Sequence, residues 1–159
     1  MNGINIYTKS EDWLGRALTN VHYAKNNKSN FDINPKLNDL IKIKPECFSI
    51  NHNTNARNRW GNSVEAWYKA NSKDLPQKTK QTIMLHLMVC KFKTYPILIT
   101  EIDKRGGLEF LKLCSHVVSG NKNWEGVGEK SNFIKVLIQA YKHNKGIPMN
   151  INEQEELFQ

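Results

Sequence analysis

Ser131-Asn132-Phe133-Ile134-Lys135-Val136-Leu137-Ile138-Gln139-Ala140-Tyr141 is the most legible stretch of the chain. Phe133, Val136, Leu137, Ala140 and Tyr141 recur at i, i+3, i+4, i+7 and i+8, which puts them on one face of a helix. Ser131 is suited to cap that helix, because its hydroxyl can accept an orphan backbone N–H of the first turn. Gly146 and Pro148 are suited to stop it. A long amphipathic helix of this kind implies a helical core.

Upstream, the same spacing recurs in shorter form. Asn62 or Ser63 can cap a helix carrying Val64, Trp67 and Tyr68. Pro76 suits the first turn of the next helix, where its missing N–H costs nothing. That helix is expected to show one apolar face of Leu85, Met88, Val89 and Phe92. Pro96 opens another with Ile99 and Ile102, ended by Gly106-Gly107, and Leu108 to Leu113 adds a turn or two. Strands are expected only near residues 4 to 7 and 47 to 50. Residues 21 to 59 read as a loop-rich insertion, rich in Asn and Lys and broken by Pro35 and Pro45, that carries a short helix and the second of these strands. The expectation is one domain over residues 1–148, mainly α with a few short β-strands (α+β), followed by an acidic, flexible tail over 149–159.

Composition narrows the class. With 159 residues, 39% hydrophobic and 24% charged, the chain can bury a core without staples. No apolar run approaches the roughly 20 residues that a membrane helix needs. No basic segment followed by an apolar stretch opens the chain, so no secretory signal is read. Cys47, Cys90 and Cys114 lack the spacing of a disulfide framework or a CxxC metal site, and a reducing cytoplasm is expected. The net charge of +8 is uneven: the last ten residues carry Glu153, Glu155 and Glu156 and no base, so the rest of the chain holds a larger positive excess. That excess suits an anionic partner: a phosphorylated metabolite, a nucleotide or nucleic acid. It equally suits nothing beyond solubility.

Four segments, in order, resemble the NADAR family, whose members hydrolyse N-glycosidic bonds of ribosylated bases. They are Ile4 to Ser10 with Leu18-Thr19-Asn20; Ser63-Val64-Glu65-Ala66-Trp67-Tyr68-Lys69-Ala70; Met88 to Pro96 with its Lys91-Phe92 pair; and Trp124-Glu125-Gly126-Val127-Gly128 leading into Asn132 to Ile138. The resemblance implies a compact NADAR-like domain and a glutamate-bearing helix at Glu65. It also implies a ligand contact at Asn20 in the opening loop. Two positions depart from the family pattern: Pro76 falls nearest the family's catalytic tryptophan, and Asn121 falls where the family commonly has an acid. Residues 21 to 59 also form a longer connection than the pattern expects.

Breaking an N-glycosidic bond develops positive charge on the ribosyl ring, which a carboxylate can stabilise while water attacks. Glu65 is the first choice for that role; the competing reading is a plain i,i+4 ion pair with Lys69. Glu125 is the candidate for a second catalytic acid, against a solvent-facing loop residue. Trp124 and Trp60 could stack on a base or anchor the core, and Trp67 reads as core. Gly126 and Gly128, ahead of the Ser131 cap, could present backbone N–H groups to a phosphate, or could simply make a turn. Arg16, Arg57 and Arg59 can clamp phosphate bidentately. The histidines and cysteines show no metal spacing, no cofactor is called for, and a Cys114/His116 nucleophile pair is the weaker alternative.

Three functions follow. The first is an N-glycosidase acting on a phosphorylated ribosyl or ADP-ribosyl compound, free or on an ADP-ribosylated macromolecule. The second is a pocket protein that binds and sequesters ADP-ribose or a nucleotide-derived signal. The third, a basic nucleic-acid-binding protein, rests on charge alone, since no zinc-finger or helix-turn-helix signature is legible.

Overall fold

The computed structural model describes residues 2–19 and 64–148. The expected insertion over 21–59, the strand at 47–50 and the tail over 149–159 lie outside those residues. So do the helix caps Asn62 and Ser63.

The described chain is mainly helical with one small sheet. The order is α1 (Trp13–Ala17), α2 (Val64–Ser72), α3 (Gln77–Thr94), α4 (Pro96–Lys104), α5 (Leu108–Leu113), β1 (Ser115–His116), β2 (Gly126–Val127), a 3-10 turn (Gly128–Lys130) and α6 (Asn132–Lys145). α3 packs most extensively against α6, with α2 laid against α3.

α6 forms as its spacing predicts. Ser131 caps it, its hydroxyl accepting from the Ile134 N–H at 3.1 Å. Phe133, Val136, Leu137, Ala140 and Tyr141 are all buried. Gly146 ends the helix in the left-handed region at φ 67°, where a side chain would be strained.

α3 departs from the expected single face. Ile83, Met84, Leu85, Leu87, Met88, Val89, Cys90 and Phe92 are all buried, so this half of the helix is covered on every side. A helix surrounded by protein has no polar face to preserve, and its apolar periodicity is blurred for that reason. Pro76 stands one residue ahead of the helix, extended at the N-cap, rather than in its first turn. Pro96 does occupy the first turn of α4, and the axis bends by 90° between α3 and α4. Among the described residues no single helix is long and apolar enough to cross a membrane.

The expected strand over 4–7 contracts to a single parallel bridge between Asn5 and Ser115. The Ile6 N–H donates to the Ser115 carbonyl at 2.8 Å, and the Ser115 N–H donates to the Ile4 carbonyl at 3.0 Å. β1 pairs antiparallel with β2, Ser115 opposite Val127 and His116 opposite Gly126. After the bridge the chain turns at once into α1, capped by Asp12, whose carboxylate accepts from the Leu14 N–H at 3.0 Å. Gly15 lets this turn close, because a Cβ there would lie 2.2 Å from Ser10 Oγ. The short sheet and α1 are thus folded onto one end of the helical core, and that end holds the site.

Candidate functional site

Glu65 stands in the first turn of α2, where a carboxylate is favoured by the helix's N-terminal dipole. Its side chain is only 19% exposed, and Lys69 one turn on approaches at 3.7 Å while remaining half exposed. The ion pair foreseen from the sequence therefore exists, but it does not turn Glu65 to open solvent. Glu65 borders a cavity of about 190 Å³ together with Tyr7, Thr8, Thr19, His116, Val118 and Phe133. That is several times the roughly 30 Å³ share of one water, and below the roughly 300–1,000 Å³ of clefts that enclose a whole drug-sized ligand. A sugar-sized group fits the scale.

The lining residues come from distant parts of the chain. Tyr7 and Thr8 follow the Asn5 bridge, Thr19 follows α1, Glu65 opens α2, His116 lies on β1 and Phe133 opens α6. Behind Thr19 sits Lys91 of α3. Its ammonium is wholly buried and donates to the Thr19 carbonyl at 2.6 Å. Burial alone holds this amine at about 7, far below its ordinary 10.5.

His116 is the pocket residue that sequence reasoning placed elsewhere. Its Nδ1 lies 2.7 Å from the Ile6 carbonyl oxygen. Its ring packs on Phe133 at 4.6 Å between centroids, with the planes inclined by 35°. Burial holds its pKa below the ordinary histidine value, partly offset by the Ile6 carbonyl and by the charge of Glu125. The Cys114/His116 pair does not form. The Cys114 thiol is buried, donates to the Phe110 carbonyl at 3.3 Å, and is pushed up by burial rather than activated.

Glu125 requires a correction. Its carboxylate accepts from the backbone N–H groups of Val118 at 2.5 Å, Ser119 and Gly120 at 3.0 Å, and Asn121 at 2.8 Å. These bonds hold it at about 2. Both oxygens are committed to the loop, and Glu125 does not border the cavity, so it fastens the 118–121 turn instead of serving as a second acid.

The glycines and Arg16 are also used structurally. The Gly128 N–H donates to the Cys114 carbonyl at 2.8 Å, so it is not presented to a phosphate. A Cβ at Gly128 would lie 2.6 Å from the Lys112 carbonyl oxygen, at φ 57°, so close approach explains this glycine. Gly126 sits in β2 opposite His116. Arg16 donates from Nε to the Ser10 carbonyl at 2.6 Å and does not border the cavity.

Trp124 resolves toward the core. It packs against the buried cluster, edge-on to Tyr68 of α2 at 5.8 Å. Its carbonyl accepts from the Ser131 hydroxyl at 2.7 Å, tying the loop to the cap of α6. Asn20, Arg57, Arg59 and Trp60 lie outside the described residues. Among the described residues no three His, Cys, Asp or Glu side chains gather as a metal site.

Searched against protein-family models, curated proteins and solved structures, the chain matches none.

Proposed function

We propose that the cavity beside Glu65 receives the ribosyl part of a phosphorylated ribosyl or ADP-ribosyl compound, and that the protein is an N-glycosidase of the NADAR type. The observation that supports this reading is convergence. The segments that resemble the family supply Tyr7, Thr8, Thr19, Glu65 and Phe133 to one cavity wall. The remaining one reaches the same place through Lys91 and the Thr19 carbonyl.

In this reading Glu65 faces the developing charge. As the bond from C1′ to the base nitrogen stretches, the ring oxygen shares its electrons and the sugar becomes oxocarbenium-like. A carboxylate held at that point stabilises the transition state more than the neutral ground state, which is the condition for catalysis. Thr8 and Thr19 line the cavity, and the Thr19 hydroxyl, which donates to the Arg16 carbonyl at 2.7 Å, can accept from a sugar hydroxyl through its lone pairs.

One observation favours the sequestering alternative. Among the described residues Glu65 is the one carboxylate that borders the cavity. Asn121 is exposed and its side-chain oxygen accepts from the Asn123 N–H at 3.0 Å, so it does not replace the acid that the family carries. Calorimetric titration with ribose 5-phosphate, ADP-ribose and NAD, followed by mass spectrometry of each mixture, separates the two. The enzyme reading expects saturable binding and a released base. Binding with every ligand intact gives the sequestering reading, and no binding at all removes the pocket assignment.

A further inference from the structure

Resting on the N-glycosidase reading, the inference concerns the group that handles the proton of the attacking water. Glu65 is committed to the charge on the sugar, and Glu125 is committed to the loop. His116 of β1, which also borders the cavity, remains.

His116 is held by three contacts. Its backbone is registered opposite Gly126 in the sheet, its ring face lies on Phe133, and its Nδ1 meets the Ile6 carbonyl. A carbonyl oxygen can only accept, so Nδ1 carries the hydrogen. In the neutral ring the lone pair is therefore on Nε2, the nitrogen away from Ile6. Nε2 has no hydrogen-bond partner among the described residues, although the residue borders the cavity. A hydrogen bond from Nδ1 to a backbone carbonyl or a carboxylate fixes the tautomer and leaves the other nitrogen as the acceptor, as a general base requires.

We infer that His116 is the proton acceptor of this site, its Nε2 taking a proton from the water that attacks the anomeric carbon. The water oxygen bonds to C1′, and the C1′–N bond breaks with its electron pair leaving on the base nitrogen. The water proton passes to Nε2, and the imidazolium returns it to the departing base or to solvent. The net change is hydrolysis, with nothing oxidised or reduced. The ring's surroundings suit this use: burial disfavours the imidazolium, whereas the Ile6 carbonyl and the charge of Glu125 favour it, and Glu65 and Tyr7 are the other ionisable groups at the cavity.

Long-range nitrogen-proton NMR of the histidines in the wild-type protein tests the starting state without any substrate. The expected result is a neutral His116 with hydrogen on Nδ1 and a bare Nε2, protonating below pH 6.5. Hydrogen on Nε2 overturns the inference whatever the protein's activity. The second arm measures nicotinamide release from NAD against pH for wild type, His116→Gln and His116→Asn. Both variants should lose about two to four decades in kcat. They should also lose the acid limb of the profile, and added imidazole should restore part of the rate to His116→Asn. Variants that keep the full rate and the limb overturn the role of His116 while leaving Glu65 untouched. A wild-type protein that releases no base ends the N-glycosidase reading and this role with it.

Discussion

The ammonium of Lys91, on the central helix, donates to the carbonyl of Thr19 at 2.6 Å, joining the core of the protein to the wall of its cavity. The amine is fully buried, and desolvation is what depresses it. In the folded chain it loses its proton at about 7, against 10.5 when exposed. Between those values the unfolded chain holds the extra proton, so raising the pH favours folding. The cost of burying the charge is full below about 7 and is gone above about 10.5. Thermal melts should therefore show Lys91→Met lacking a rise in stability that wild type gains from pH 7 to pH 10. Parallel curves for the two proteins would contradict the depressed, buried amine.

Leu137 is wholly buried on the inner face of α6. Truncation there leaves a cavity that the α3–α6 interface cannot fill. Leu137→Ala should cost about 2–5 kcal/mol in denaturant unfolding. A change within experimental error would mean that α6 is not the core helix.

Ser131 does two jobs at once, capping α6 through the Ile134 N–H and donating to the Trp124 carbonyl. Ser131→Ala should cost about 0.5–2 kcal/mol through the cap. It should also loosen Trp124, which a shift in tryptophan fluorescence would report. An unchanged midpoint and spectrum would deny the coupling.

Glu125 holds the 118–121 turn through backbone N–H groups, and those bonds keep its carboxyl at about 2. Its folded value lies below the ordinary 4.5, so its contribution is present above 4.5 and is lost as the pH falls toward 2. Amide exchange at Val118, Ser119, Gly120 and Asn121 should accelerate in Glu125→Ala with the rest of the domain unchanged. Protection that persists in the variant would show that the turn stands without the carboxylate.

These residues mark how far the sequence could be read. α6 was legible because its caps and spacing are local, and Glu65 because a helix-borne acid in a family-like segment is visible as such. α3 was legible as a helix but not as the central one, since burial on every side erases the periodicity that reveals a face. β1 and β2, two residues each, are too short to alternate. Their partners, and with them the place of His116, are set by a bridge to Asn5 more than a hundred positions away. Glu125 and Gly128 were open to misreading for one reason. Whether a carboxylate or an N–H is available to a ligand depends on which backbone groups the fold brings to it.

The central claim is that Glu65 carries turnover. Glu65→Gln preserves the shape of the side chain and removes its charge, so the fold and most of the ligand affinity should remain. The loss should fall on the chemical step. The decisive measurement is nicotinamide release from NAD, followed by mass spectrometry, beside calorimetric binding of NAD and ADP-ribose, for wild type and Glu65→Gln. The account predicts that both proteins bind and that only wild type releases base at an appreciable rate. Release by Glu65→Gln at the full wild-type rate would contradict it.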